Sequence, residues 1–153
     1  MQQSWIILGA TSSMARAMAR RLAKEGATLF LCGRDMDDLA ATAADCLARG
    51  AVCAKALLFD ARDTDTFAPI IERATAEEGV INCAVFVGSM PEQDAIDATP
   101  ELIAGVVTDS HTGPTTFLHM LAPHIEARGQ GTVVGVGSVA GDRGGIGNYV
   151  YGS

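Results

Sequence analysis

Trp5-Ile6-Ile7-Leu8-Gly9-Ala10-Thr11-Ser12-Ser13-Met14-Ala15 is the stretch that decides the fold. Four apolar residues in a row read as a short strand covered on both faces, and the small residues after them read as a tight turn. Met14, Ala17, Met18 and Leu22 then recur at helical spacing up to Gly26, predicting a helix with these four on its packed face. Strand, small-residue turn and helix in that order form the opening of a β–α–β unit.

The same pattern repeats along the chain. Thr28-Leu29-Phe30-Leu31-Cys32 precedes a helix carrying Leu39, Ala43, Cys46 and Leu47, which ends at Gly50. Residues 52–59 precede a helix carrying Phe67, Ile70, Ile71 and Ala74, which ends at Gly79. A fourth strand covers 83–87, a long helical region runs from about 100 to 128 and ends at Gly129, and a fifth strand covers 132–136. A glycine just past each helix supplies the left-handed residue that ends it. The first, second, fourth and fifth strands are almost continuously apolar, which predicts cover on both faces. The expectation is one α/β domain over residues 1–153, a Rossmann-type doubly wound parallel sheet of five strands. Pro114 lacks a backbone donor, so a kink or break is expected near Gly113-Pro114.

With 153 residues, 48% apolar and 19% charged, the chain is long enough to bury a core without staples. A net charge of −7 argues against nucleic acid or an anionic membrane as partner. Cys32, Cys53 and Cys83 fall in apolar runs and read as buried reduced thiols, and the fourth cysteine, Cys46, makes no C-x-x-C pair with them. No apolar run is long enough to span a bilayer, and Met1-Gln2-Gln3-Ser4 has no basic leader, so a cytoplasmic location is expected. His111, His119 and His124 are spaced by eight and five, which does not stack a ligand pair, and no metal site is expected. The acidic run Asp35-Met36-Asp37-Asp38 reads as the cap of the second helix, and Met14 and Met18 as core fillers.

The first turn is also a candidate phosphate site. Gly9, Thr11, Ser12, Ser13 and Met14 bring free backbone N–H groups and the positive end of a helix dipole to one point. Helix capping by Ser12 or Ser13 is an equally good use of the same residues. At the end of the second strand, where dinucleotide folds usually hold a ribose hydroxyl with a carboxylate, stand Cys32, Gly33 and Arg34. An arginine there suits a 2′-phosphate and favours NADP over NAD, unless Arg34 is simply a solvated loop residue.

Over essentially its whole length the chain resembles the short-chain dehydrogenase/reductase family. Gly9 to Ala15 is similar to that family's G-x-x-x-G-x-G turn, with Ser13 and Ala15 in place of the second and third glycines. Phe59-Asp60-Ala61 resembles the adenine-contacting turn, with Asp60 as its acidic residue. Phe86-Val87-Gly88-Ser89 stands where the family has N-N-A-G and keeps Gly88 for close approach to the cofactor. Gly137-Ser138-Val139-Ala140-Gly141, followed by Asn148-Tyr149-Val150-Tyr151-Gly152-Ser153, looks like the serine strand and the start of the Y-x-x-x-K helix. Tyr151 lies at the family's spacing from Ser138, and Tyr149 fits less well. The family's asparagine position falls on Ser110. Residues 140–144 and 149–153 are also similar to bacterial keto-sugar reductases, one type of which acts on a decaprenylphosphoryl keto-ribose.

The resemblance implies hydride transfer between NADP or NAD and a small-molecule carbonyl or alcohol carbon. It gives Tyr151 the role of proton donor, Ser138 that of holding the same substrate oxygen, and Ser110 that of a weak relay position. The family's lysine four residues after the tyrosine would be residue 155. The expectation is therefore an N-terminal cofactor half, truncated after the fifth strand and inactive alone; the resemblance also implies homo-oligomers of the full-length parent, paired through the long helix and the Tyr–Lys helix, of which only the first stands in these residues. A non-catalytic dinucleotide-binding module, or a vestigial one, is the alternative reading.

Overall fold

Strands and helices alternate along the structure, a computed structural model that describes residues 1–153. The strands are β1 (Gln3–Leu8), β2 (Thr28–Gly33), β3 (Cys53–Leu58), β4 (Val80–Val85) and β5 (Val133–Gly135). The helices are α1 (Ser13–Lys24), α2 (Met36–Ala48), α3 (Phe67–Thr75), α4 (Gln93–Ala98), α5 (Leu102–Val107) and α6 (Gly113–Ala127). All five strands are parallel, in the order β3-β2-β1-β4-β5. Leu8 of β1 aligns with Cys32 of β2 and Val85 of β4, so the strand ends form one edge of the sheet. The order reverses between β1 and β4, and ligands of open α/β sheets bind outside the strand ends at such a point.

Alternation along each strand divides the core in two. Ile7, Leu29 and Leu31 face α1 and α2, where they meet Ala15, Ala19, Ala23, Leu39, Ala43 and Cys46. Ile6, Leu8, Phe30, Cys32, Ile81, Cys83 and Val85 face Phe67, Ile70 and Ile71 of α3 and Phe117 and Leu121 of α6. Phe59, Phe67 and Phe117 pack ring against ring, with centroids 5.2–5.7 Å apart. Over β1, β2 and β4 both sheet faces are covered, as a doubly wound Rossmann-type α/β fold requires.

Several expectations change here. The buried stripe of α1 is Ala15, Ala19 and Ala23; Met14 is 62% exposed and is no core filler. Three alanines at i, i+4, i+8 let the helix lie close to the sheet; Leu22 packs against the same core as expected, Met18 is half-buried, and Ala17 is exposed. Leu47 is likewise exposed, although Leu39, Ala43 and Cys46 are buried as expected. β5 is the edge strand, with Val133 half exposed, so its apolar sequence does not mean cover on both faces. The long helical region is two helices, α5 and α6, broken near Gly113-Pro114 as expected, and the short α4 before it was not legible in the sequence. The break is a wide π-type turn at Thr108–Thr112, immediately before Gly113-Pro114. Pro114 then falls in the first turn of α6, where its missing N–H would have had no partner in any case. The thiols of Cys32, Cys46 and Cys83 are buried, and Cys53 is half-buried because β3 is the other edge. Asp35 caps α2 as expected, accepting from the Asp38 N–H at 3.0 Å. No helix is long and apolar enough to cross a membrane.

Candidate functional site

A cleft of about 260 Å³ opens at the ends of the strands, and Gly9, Thr11, Ser12, Arg34, Asp60, Ala61 and Gly88 all line it. Residues spread over eighty positions meet there because parallel strands deliver every β–α turn to the same edge. Gly9 has φ +75°. A Cβ on it would lie 2.9 Å from the carbonyl carbon and oxygen of Phe86, so only glycine lets the turn after β1 pass the end of β4. The Gly9 and Ala10 N–H groups donate to the Cys32 carbonyl at 2.9 and 3.0 Å, tying that turn to β2.

Ser12 is the N-cap of α1, and its Oγ accepts from the Ala15 N–H at 3.1 Å. The first turn of α1 carries no acidic side chain, so the positive helix end faces the cleft uncompensated. Ser13 and Met14 sit in that turn with exposed side chains and do not line the cleft. The end of β2 offers no carboxylate. The Cys32 thiol is fully buried, donates to the Phe30 carbonyl at 3.4 Å, and is pushed well up by burial. Asp35 is engaged as a cap. Arg34 is exposed at the cleft and forms no ion pair with any carboxylate.

On the far side of β2, Asp60 shapes the turn after β3, its Oδ1 accepting from the Arg62 N–H at 2.9 Å. Arg62 in turn reaches Asp109, with its Nε and Nη2 donating to the two carboxylate oxygens at 2.8 and 2.7 Å. That guanidinium holds the Asp109 carboxyl below the usual carboxylate range. Asp109 lines the cleft, and its neighbour Ser110 touches the cleft wall rather than the cleft. The Ser110 Oγ lies 3.4 Å from where a Gly88 Cβ would be and accepts from the Ser89 N–H at 3.4 Å.

Ser138 and Tyr151 lie beyond the cleft lining. Ser138 is exposed in extended conformation, and its Oγ accepts from the Ala140 N–H at 3.2 Å at the head of a single 3-10 turn, Val139–Gly141. Tyr151 is half-buried in a run of turns; the expected helix does not begin there. The two segments adjoin, because a Cβ on Gly152 would be 2.5 Å from the Ala140 carbonyl oxygen. Tyr149 is turned elsewhere, donating through its hydroxyl to Asp97 Oδ1 of α4 at 2.8 Å. The acceptor carboxylate disfavours the phenolate and pushes the Tyr149 phenol up, which is the wrong direction for an acid–base group.

Sequence reading missed Arg62, Asp109, Gln93 and Asp97. Arg62 and Asp109 are 47 positions apart, and no local pattern marks them as partners.

The short chain dehydrogenase family model matches residues 3–153. An uncharacterized oxidoreductase of Mycobacterium tuberculosis (strain H37Rv) is 35% identical over 149 residues, covering 97% of this chain and 59% of that protein. The sulfoacetaldehyde reductase of Chromohalobacter salexigens is 32% identical, covering 96% of this chain and 58% of that protein. The chain thus spans between 41% and 59% of the length of these and other curated relatives it matches. Among solved structures, an actinorhodin polyketide ketoreductase variant with NADPH is similar at TM-score 0.89 and 23% identity, covering 99% of this chain and 59% of that one. The L-sorbose reductase of Gluconobacter frateurii, complexed with NADPH and L-sorbose, is similar at TM-score 0.88 and 20% identity, covering 99% of this chain and 58% of that one. With the parallel sheet, the glycine turn and a family match over nearly every residue, this chain belongs to the short-chain dehydrogenase family of oxidoreductases.

Proposed function

We propose that the cleft binds NADP and that the whole protein reduces a small carbonyl compound or oxidises the matching alcohol. The observation that carries this reading is the pairing of an uncompensated helix end at Ser12 with an unpaired Arg34 on the same cleft. The backbone N–H groups of Thr11, Ser13 and Met14 at the start of α1 would hold the pyrophosphate, those of Gly9 and Ala10 being committed to the Cys32 carbonyl. Arg34 would pair with a 2′-phosphate, Asp60 and Ala61 would border the adenine, and Gly88 would leave room for the nicotinamide ribose. When bound, the nicotinamide supplies hydride chemistry. Ser138, which follows β5, would hold the substrate oxygen and Tyr151 would exchange a proton with it. Ser110 is shorter than an amide side chain and is engaged with Ser89, so its part is to brace the Gly88 wall.

A cation close to a phenol favours its ionised form, which is what acid–base work by a tyrosine near neutral pH requires. The location of Ser138 and Tyr151 outside the cleft lining favours a second reading, a nucleotide-binding module without chemistry. Four free thiols agree with a reducing, cytoplasmic setting. Leu102, Ile103 and Val107, partly exposed on α5, agree with subunit pairing in the whole protein.

Titration with NADPH and NADH tests the cofactor assignment. A lost charge-assisted phosphate contact should weaken NADPH binding by about 10- to 100-fold in Arg34→Ala and leave NADH within about twofold. Equal affinities for the two nucleotides, unchanged by Arg34→Ala, would overturn it. Carbonyl-dependent NADPH oxidation by the whole protein, lost in Tyr151→Phe with binding retained, separates enzyme from binding module.

A further inference from the structure

We propose that the Arg62–Asp109 ion pair is a clasp that couples the two ends of the nucleotide cleft, making both positioning residues for the dinucleotide. The inference rests on the nucleotide reading above. Strand order puts the turns after β2 and β3, with Arg34 and Asp60, on one side of the Gly9 turn. It puts the turns after β4 and β5, with Gly88 and Ser138, on the other. No strand pairing joins the β3 turn to the β4 turn, and the clasp supplies that link from outside the sheet.

Each half of the clasp is fixed to one end. Arg62 follows the Asp60 turn, its own N–H bound by the Asp60 carboxylate at 2.9 Å. Asp109 belongs to the wide turn Thr108–Thr112 and precedes Ser110, which braces Gly88 and Ser89. The join is bidentate, at 2.8 and 2.7 Å, and the Asp109 side chain is only 14% exposed. Two glycines bring the elements together. A Cβ on Gly113 would sit 2.5 Å from the Ala61 carbonyl oxygen, and one on Gly105 would sit 2.7 Å from Arg62 Nη2. The helices around the wide turn thus pack directly on the loop that carries Asp60. With the clasp intact, the wall at Gly88 is held at a set distance from the adenine end. Loosening it leaves each end able to bind its own half and removes the spacing that suits both halves together.

The test compares a whole dinucleotide with one half of it, using the full 153-residue chain. NADPH and 2′,5′-ADP are titrated against the unsubstituted chain, Arg62→Gln, Asp109→Asn and the double variant, with thermal melts confirming that each folds. The expected result is NADPH binding about tenfold weaker in each single variant, a typical size for coupling between sites. The double variant should be no weaker than the weaker single one, and 2′,5′-ADP should bind all four within about twofold. The charge-preserving Arg62→Lys should recover part of the NADPH affinity. Unaltered NADPH binding in all variants, or an equal loss for NADPH and 2′,5′-ADP in folded variants, would overturn the clasp and leave the nucleotide reading standing. An unsubstituted chain that binds neither ligand would overturn both.

Discussion

Replacing Gly9 by alanine tests the close approach on which the cleft is built, and Gly26→Ala is its internal control. Both glycines have nearly the same left-handed backbone, with φ +75° at Gly9 and +77° at Gly26. Putting a β-carbon on such a residue costs roughly 1–2 kcal/mol. At Gly26 the new methyl would meet nothing within 4 Å. At Gly9 it would sit 2.9 Å from both carbonyl atoms of Phe86 and 3.1 Å from Val87 Cγ1. Backbone cannot rotate out of the way as a side chain does, and Phe86 is held by its N–H bond to the Leu8 carbonyl at 2.9 Å. Overpacking of this kind adds about 1–3 kcal/mol. Gly26→Ala should therefore lower the melting temperature by about 2–8 °C and Gly9→Ala by about 4–20 °C, taking 2–4 °C per kcal/mol for a chain of this size. The assay is thermal unfolding followed by circular dichroism, with urea titration as a check on the slope. Gly9→Ala should also weaken NADPH binding, because relieving the clash moves the Phe86–Gly88 wall, whereas Gly26→Ala should not. Equal destabilisation by the two substitutions, with unchanged binding in both, would refute the argument that Gly9 is present for close approach.

Phe117→Ala should cost about 3–5 kcal/mol, since the ring is fully buried and packs edge-on against Phe59 and Phe67; urea denaturation measures it. A thiol reagent at pH 8 should label Cys53 first in the folded chain and all four cysteines in urea. Burial raises the Cys83 thiol to about 12 and pushes Cys32 and Cys46 up as well. Simultaneous labelling of all four under native conditions would contradict the core described here. Asp97→Asn should bring the Tyr149 phenol down toward its ordinary value, because the neighbouring carboxylate that opposes its ionisation is gone; ultraviolet titration of the phenols reads it. For Asp109 the sign runs the other way. Its folded pKa is depressed, so its stabilising effect is present above the ordinary carboxylate range and fades as pH falls through the depressed value. Acid unfolding in Asp109→Asn should lose that component.

The fold was legible in the sequence because its signals are local. Apolar runs of strand length, helical spacing and a glycine past each helix act within a few residues, and the glycines at 26, 50, 79 and 129 do take positive φ. Gly9 and Arg34 were legible as strand-end residues for the same reason, and Asp60 and Gly88 through the family resemblance; the structure brings all four to the lining of one cleft. The packing stripe of α1 was misread because hydrophobic strength points to methionine while closeness to a sheet rewards alanine. β5 was misread because an apolar run does not reveal whether it lies at the centre or the edge of a sheet.

The sequence by itself determined that this chain alternates strand and helix, that the turns carry small residues, and that Ser138 and Tyr151 stand at a family's spacing. Only the tertiary structure decided which turns share a cleft and that Tyr149 is bound to Asp97. Only it decided that Arg62 finds Asp109 across 47 positions. Spacing along a chain specifies what neighbours within a turn or two can do. Pairing between distant loops depends on strand order and helix packing, which are settled by burial of the whole core.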